Sequence, residues 1–164
     1  MNQIPIDTEN SPSFVFELIY RLKVRDVMTR EVTTISPDQS LRAAQAIMKE
    51  RTITGVPVVD GRRLVGIVSM DDIIQALDSG HIDEAADGHM SRNVIVLEDD
   101  MPLSFAISYL EKYTYGRFPV LNKEKELVGI ITSRDVIVAL LVEVNREIEK
   151  FEAEQRKQSG GGEG

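Results

Sequence analysis

The chain has 164 residues, 42% hydrophobic and 28% charged, a balance typical of one globular domain of ordinary size. Acidic residues outnumber basic ones, 27 against 19, and the net charge of −8 argues against a nucleic-acid-binding protein. Cysteine is absent, which excludes disulfides, thiol nucleophiles and zinc–thiolate sites. The N-terminus lacks the pattern of a secretory signal, and no apolar run approaches the roughly 18 residues of a membrane span. We therefore expect a soluble, cytoplasmic protein without a membrane partner.

The first predicted element is a helix in SPSFVFELIYRLKV, residues 11–24, entered through Ser11 and Pro12. EVTTIS (31–36) is rich in β-branched residues and predicts a short strand. A helix follows, and Asp38 is its expected N-cap. One face of this helix is apolar, formed by Leu41, Ala44, Ile47 and Met48.

The remaining elements of this first unit are two strands and a second helix. A strand in VPVV leads to a turn at Asp60–Gly61, a pair of residues that favours a hairpin. The strand LVGIVS (64–69) and the helix MDDIIQAL (70–77) complete the unit. The predicted order is therefore β-α-β-β-α.

The same order is written a second time. VMTREVTTISPDQSLRAAQAIM (27–48) matches HMSRNVIVLEDDMPLSFAISYL (89–110) at an offset of 62 positions, so Asp100 is the second expected N-cap. GVPVVD then matches RFPVLN, and one extra residue raises the offset to 63 for GIVSMDD and GIITSRD. A period of this length indicates a duplicated small unit that cannot bury its core alone.

An apolar stripe follows the second unit. Its members recur at alternating spacings of four and three: Ile137, Leu141, Val144, Ile148 and Phe151. This spacing predicts either a short coiled-coil seam or a terminal helix packed on its own module. SGGGEG at the end is typical of a flexible tail or linker.

In these motifs the chain resembles a tandem pair of CBS (cystathionine-β-synthase-type) domains, often called a Bateman module. The marks are VMT and HMS, GVPVVD and RFPVLN, and GIVSMDD and GIITSRD, in the same order in both copies. The resemblance covers about residues 23–142 and implies an α/β (α+β) fold: two β-α-β-β-α repeats packed about a pseudo-twofold, with flanking helices. The expected organisation is an N-terminal segment and helix (1–22), repeat 1 (23–78), a linker (79–88), repeat 2 (89–142), a helix extension (143–158) and a Gly-rich tail (159–164).

The closing motifs, Ser69 with Asp72 and Thr132 with Asp135, have two interpretations. A hydroxyl at the N-cap and a carboxylate three residues later form a capping box. A helix N-terminus is also an anion site, and a carboxylate beside it can accept both hydrogen bonds of a ribose diol. The resemblance implies that the Asp holds the ribose of an adenosine ligand and that the Ser or Thr contacts ribose or phosphate. The two roles are compatible.

By the same resemblance, the first strand and its exit offer backbone groups to adenine at Thr34, Ile35, Val96 and Leu97. The other walls are TGVP and GRFP, with Gly55, Val56, Pro57, Arg117, Phe118 and Pro119, whose apolar side chains are equally compatible with a core role. The second copy has Arg117 and Arg134 where the first has Gly55 and Asp71. We therefore expect the more highly phosphorylated ligands in the second site. Arg30 and Arg92 are further phosphate candidates.

The function expected from this resemblance is a non-catalytic regulatory module that senses AMP, ADP or ATP, ahead of S-adenosylmethionine, and needs no cofactor or metal. The expected partners are the ligand, a second copy in a homodimer and, as an open alternative, a regulated effector domain or protein. One rival is a ligand-free structural or dimerisation module. The other is an enzyme built on the acidic residues at 71–72 or 83–87. The sequence offers no nucleophile to match the only histidines, His81 and His89.

Overall fold

The computed structural model describes residues 17–114 and 116–159, with side chains up to Arg156. The elements are, in chain order, α1 (Val24–Val27), α2 (Leu41–Arg51), β1 (Gly55–Asp60), β2 (Arg63–Ser69), α3 (Met70–Ser79), a 3₁₀ turn (Ala86–Gly88), β3 (Leu97–Glu98), α4 (Leu103–Lys112), β4 (Arg117–Leu121), β5 (Leu127–Thr132) and α5 (Ser133–Ser159). The mixed fold with two β-α-β-β-α repeats is thereby confirmed. The start of the predicted N-terminal helix, residues 11–16, lies outside the described residues. Residues 17–21 are helical, and the helix ends before Lys23, which pairs with Pro102 instead, so its predicted end at residue 24 is wrong.

Each repeat contributes one antiparallel hairpin. β1 pairs with β2 and β4 pairs with β5. Gly61 connects β1 to β2 with a φ of 62°, a left-handed conformation that glycine adopts without a steric penalty, and this confirms the predicted hairpin. The two hairpins also meet at their ends, where Arg63 forms a bridge with Glu126.

The first strand of each repeat is much shorter than predicted. Ile35 forms a single parallel bridge with Val58, and β3 has only two residues, parallel to β4. The cause is the proline of GVPVVD and RFPVLN. Ile35 donates its N–H to the Pro57 carbonyl at 3.1 Å, but Pro57 has no N–H with which to continue the ladder towards residue 33. Residues 32–34 are therefore left without strand pairing.

The expected N-caps Asp38 and Asp100 are wrong. α2 begins at Leu41, and its cap is Ser40, whose hydroxyl accepts the Ala43 N–H at 3.2 Å. Asp38 instead lies in a turn in which the Ser36 N–H donates to the Gln39 side-chain oxygen at 2.9 Å. In the second copy, α4 begins after Pro102.

The two hydrophobic cores exchange short segments between the copies. Val24 and Met28, at the start of repeat 1, are buried in the core of repeat 2, and Met90, at the start of repeat 2, is buried in the core of repeat 1. Backbone hydrogen bonds fix the exchange, between Thr29 and Ile130 and between Ser91 and Ile67, all at 2.9 Å. Each core is thus completed by the first residues of the other repeat.

The C-terminal helix α5 runs without interruption over 27 residues. Much of its predicted apolar stripe is exposed: Ile137 58%, Leu141 58%, Ile148 43% and Phe151 53%. Within the described part of the chain, no helix combines the length and apolar character needed to cross a membrane.

Candidate functional site

Two clefts lie between the repeats, and each is lined by residues of both copies. Cleft A has a volume of about 520 Å³ and is lined by Thr29, Glu31, Val32, Thr33, Arg51, Ile53, Gly55, Pro57, Gly116, Arg117, Ile130, Thr132, Ser133, Arg134 and Asp135. Cleft B has a volume of about 260 Å³ and is lined by Thr54, Gly55, Pro57, Ile67, Ser69, Asp71, Ser91, Asn93, Val94, Ile95, Arg117, Phe118, Pro119 and Ile130. Most lining positions of one cleft are the repeat equivalents of those of the other.

The second closing motif lies in cleft A, where β5 ends and α5 begins. Asp135 accepts the Thr132 N–H at 2.7 Å and the Thr132 hydroxyl at 2.6 Å on the same oxygen, Oδ2. The Asp135 N–H in turn approaches the Thr132 hydroxyl at 3.3 Å, which completes a capping box. Asp135 also lines the cleft. The capping interpretation and the site interpretation therefore apply to the same residue.

The first closing motif forms the same capping box, but its aspartate lines a different cavity. Asp72 Oδ2 accepts the Ser69 N–H and hydroxyl, both at 2.7 Å. Ser69 and Asp71 line cleft B, whereas Asp72 lines a separate cavity of about 430 Å³ shared with His81 and His89. The two sites are therefore not chemically equivalent.

Most of the predicted site residues line the clefts. Gly55, Pro57 and Arg117 line both of them, because they lie on the wall that the clefts share. Cleft A adds Thr132, Arg134 and Asp135, and cleft B adds Ser69, Phe118 and Pro119. Of the other predicted residues, Ile35, Val56 and Leu97 are buried in the cores, and Thr34 and Val96 are half-buried outside the described cleft linings.

The lining residues missed from sequence belong mainly to the extended segments just before Ile35 and Leu97. They are Thr29, Glu31, Val32 and Thr33 in cleft A, and Ser91, Asn93, Val94 and Ile95 in cleft B. Several of them could have been found from Pro57 and its repeat equivalent Pro119. Neither proline has an N–H with which to continue strand pairing, so the residues just before Ile35 and Leu97 are extended but unpaired. Arg51, the last residue of α2, and Ile53, just after it, carry no comparable sequence signal.

Charge distinguishes the two clefts. Three arginines line cleft A, Arg51, Arg117 and Arg134, together with two acidic residues, Glu31 and Asp135. Cleft B has Arg117 and the carboxylate of Asp71. An anionic ligand therefore meets more positive charge in cleft A.

The two other phosphate candidates, Arg30 and Arg92, form hydrogen bonds with nearby residues of the chain instead. Arg30 donates to the Arg25 carbonyl at 2.8 Å, and Arg92 donates to the Asp87 carbonyl at 3.0 Å and to its carboxylate at 2.9 Å. Neither residue lines a described cleft. Each arginine thus bonds to the residue five positions before it in the chain.

The acidic linker is held by neutralising partners. Arg42 binds Asp83 through two nitrogens, at 2.5 and 3.0 Å, and this hydrogen bonding lowers the pKa of Asp83. Glu84 accepts from His89 at 2.7 Å and His81 at 2.6 Å, and these hydrogen bonds lower the pKa of Glu84. Among the residues that the structure describes, no group of three or more His, Asp or Glu side chains is arranged to hold a metal ion.

Two copies of one small mixed unit, with clefts between them and a hydroxyl–carboxylate pair at each closing helix, define a tandem-repeat module. The family model described as CBS domain matches residues 24–79 and 84–142, so the chain belongs to the CBS domain family as a tandem pair.

Two similar proteins of known sequence are longer than this chain. The uncharacterized protein MJ1232 of Methanocaldococcus jannaschii is 36% identical over 119 residues, which cover 73% of this chain and 40% of that protein. The inosine-5'-monophosphate dehydrogenase of Thermoplasma acidophilum is 32% identical over 122 residues, 74% of this chain and 24% of the enzyme. The chain thus spans less than half the length of these relatives.

Similar solved structures are themselves CBS pairs. CBSX2 in complex with AMP has a TM-score of 0.64 at 29% identity and covers 73% of this chain and 96% of that one. The CBS domain pair of protein MJ0100, in complex with 5'-methylthioadenosine and S-adenosyl-L-methionine, has a TM-score of 0.63 at 28% identity and covers 74% and 98%.

Proposed function

We propose that this chain is a regulatory module that binds an adenosine-containing ligand of the AMP, ADP or ATP type, with cleft A as its principal site. The observation that carries the proposal is the Asp135 carboxylate, which lines cleft A in an orientation fixed by Thr132. A fixed carboxylate is an acceptor suited to a ribose diol, and such charge-assisted hydrogen bonds are the stronger ones.

The remaining lining of cleft A suits the rest of a nucleotide. The extended segment at residues 32–34 faces a proline and has no strand partner. The Val32 N–H donates to the Arg30 carbonyl at 3.1 Å, so the edge of an adenine ring would meet mainly the backbone groups of Thr33 and Thr34. Arg51, Arg117 and Arg134 supply charge for phosphate. CBSX2, which binds AMP, and the MJ0100 domain pair, which binds S-adenosyl-L-methionine, support an adenosine ligand.

Cleft A is connected to both ends of the module, which suits signalling. Its lining includes Thr29, in the segment that follows α1, and Ser133, the first residue of α5. A ligand that contacts both segments stabilises one arrangement of the flanking helices and shifts the population towards it. An effector domain or protein attached to these helices would receive the signal.

The test is a thermal-shift screen with AMP, ADP, ATP and S-adenosylmethionine, with GMP as the base control. A ligand that binds only the native state at about 100 times its Kd stabilises the protein by about 2.7 kcal/mol, so the melting temperature rises. We expect a rise with an adenine nucleotide and a smaller one, or none, with GMP. Unchanged melting with all four adenosine compounds would contradict the proposal.

A second candidate function is self-association without a ligand. The exposed apolar side chains of α5 form a surface whose contact with water is unfavourable in a monomer. Ile137 and Leu141 are each 58% exposed. Ile74 and Leu77 on α3 are exposed as well. This candidate is compatible with ligand binding, because none of these four side chains lines cleft A.

A further inference from the structure

Asp135 has a hydrogen-bond donor from the other end of the module. The hydroxyl of Thr29, 106 positions earlier in the chain, donates to Asp135 Oδ1 at 3.0 Å. The opposite oxygen, Oδ2, is already occupied by the N–H and the hydroxyl of Thr132. The carboxylate is therefore held at both oxygens, by residues from both repeats.

Thr29 is itself fixed in position. Its N–H donates to the Ile130 carbonyl and its carbonyl accepts the Ile130 N–H, both at 2.9 Å. The preceding Met28 is buried against Gly129 in the core of repeat 2. A hydroxyl on so rigid a backbone restrains the carboxylate that it contacts.

The repeat equivalents of Thr29 and Asp135 are Ser91 and Asp72, and this pair lacks the hydroxyl–carboxylate contact. Ser91 pairs with Ile67 as Thr29 pairs with Ile130, with both hydrogen bonds again at 2.9 Å. Over residues 17–114 and 116–159, however, no side-chain hydrogen bond joins Ser91 to Asp72. Asp72 lines the cavity beside His81 and His89 instead of cleft B. The carboxylate that lines its cleft is thus the one that a cross-repeat hydroxyl holds.

We infer that Thr29 is a positioning residue that directs Asp135 into cleft A and, with it, selects ligands that carry a cis-diol. The inference rests on the proposed function, whose site it makes specific. Oδ2 of Asp135 already accepts two hydrogen bonds, so a ligand diol has one further position on Oδ1 and the lone pairs of the Thr29 hydroxyl. These two oxygens are 3.0 Å apart, comparable with the separation of the neighbouring hydroxyl oxygens of ribose, so one ligand hydroxyl binds to each.

The experiment compares AMP with its 2′,3′-dideoxy analogue by titration calorimetry. Thr29→Val keeps the side-chain shape and removes the hydroxyl, Thr29→Ser keeps the hydroxyl, and Ser91→Ala is the matched control in the other copy. We expect Thr29→Val to weaken AMP binding by about threefold to tenfold, the worth of one hydrogen bond, and to leave binding of the analogue unchanged. Thr29→Ser restores the AMP preference, and Ser91→Ala, which alters only the lining of cleft B, leaves the preference in cleft A intact.

Three outcomes would overturn the inference alone: equal weakening of both ligands in Thr29→Val, an unchanged preference for AMP in that variant, or an equal loss in Ser91→Ala. If the wild-type chain bound neither ligand, the proposed function would fail and the inference with it. A thermal melt of each variant separates a change in binding from a change in folding.

Discussion

Gly66 and Gly129 are the points at which each repeat receives the exchanged segment of the other. A Cβ added at Gly66 would lie 2.6 Å from the sulfur of Met90 and 3.0 Å from the Ser91 carbonyl, and a Cβ at Gly129 would meet Met28 in the same way. Atoms at these separations clash, and the methionine is buried in a packed core. Both glycines are therefore needed for close approach rather than for backbone freedom.

We expect Gly66→Ala and Gly129→Ala each to lower the free energy of unfolding by about 1–3 kcal/mol, the usual cost of overpacking. Gly88→Ala is the matched control, since a Cβ there meets nothing within 4 Å. Urea denaturation measures all three variants. Equal stability of the Gly66 and Gly88 variants would show that the methionine yields without cost.

Arg134 and Asp71 occupy equivalent positions in the repeat and line cleft A and cleft B, respectively. A guanidinium forms charge-assisted hydrogen bonds with phosphate, whereas a carboxylate repels it. This difference gives cleft A a preference for the more highly phosphorylated ligands.

We expect Arg134→Asp to weaken ATP binding more than adenosine binding and to flatten the salt dependence of the ATP affinity. Calorimetry at two salt concentrations measures both effects, and Asp71→Arg is expected to improve ATP binding in cleft B. An unchanged ATP affinity and salt slope in Arg134→Asp would mean that Arg51 and Arg117 hold the phosphates.

At the scale of elements, the linker after α3 caps α2. Leu41 donates its N–H to the Glu84 carbonyl at 3.0 Å and Arg42 donates its N–H to the Ile82 carbonyl at 2.8 Å, so otherwise unpaired N–H groups of the first turn are satisfied. The Arg42–Asp83 pair attaches the linker to the same turn. Because hydrogen bonding to Arg42 lowers the pKa of Asp83, the ionised carboxylate stabilises the fold.

The lowered pKa of Asp83 predicts how the stability of the fold depends on pH. A carboxylate with a lowered folded pKa stabilises the protein above its ordinary pKa of 3.8, and the contribution is lost as the pH falls through the lowered value. We expect Asp83→Asn to be less stable than the wild type at neutral pH, with the difference shrinking below pH 3.8. Chemical denaturation across this range checks the trend. If Asp83→Asn cost as much in an Arg42→Ala background, the pair would not be the cause.

The apolar stripe on α5 predicts association between copies. Exposed side chains at the predicted spacing, among them Leu141 and Ile148, gain free energy when a partner covers them. Closed twofold dimers are the commonest soluble assemblies. We therefore expect a homodimer, formed at least in part through this helix.

Light scattering should give twice the chain mass of 18.4 kDa for the wild type and the monomer mass for Leu141→Arg. Ala153→Arg is the control, because its exposed position lies on the opposite side of α5 at 100° per residue. A monomer over a wide concentration range in the wild type would refute the dimer. A dimer that persisted in Leu141→Arg would place the interface elsewhere.

At the scale of the whole molecule, the duplication in the sequence predicts the order of elements, because each copy has strand, helix and turn signals at the same places. It does not predict which copy a boundary segment packs against. Alignment of the repeats assigns Thr29 to the first copy, whereas packing brings it to Asp135 of the second. Likewise, sequence treats Asp72 and Asp135 as equivalent, and only the structure shows that Asp135 lines a cleft between the repeats whereas Asp72 lines the cavity beside His81 and His89.

The central claim is that Asp135 makes cleft A a ribose site, and calorimetric titration of AMP into wild type, Asp135→Ala and Asp72→Ala tests it most directly. Asp72→Ala controls for loss of the cap, which costs about 1 kcal/mol of stability in either copy. We predict that Asp135→Ala weakens AMP binding by about 1.5–3 kcal/mol, the worth of hydrogen bonds to a charged group, and that Asp72→Ala leaves it nearly unchanged. An Asp135→Ala variant that remains folded and binds AMP with wild-type affinity would contradict the account.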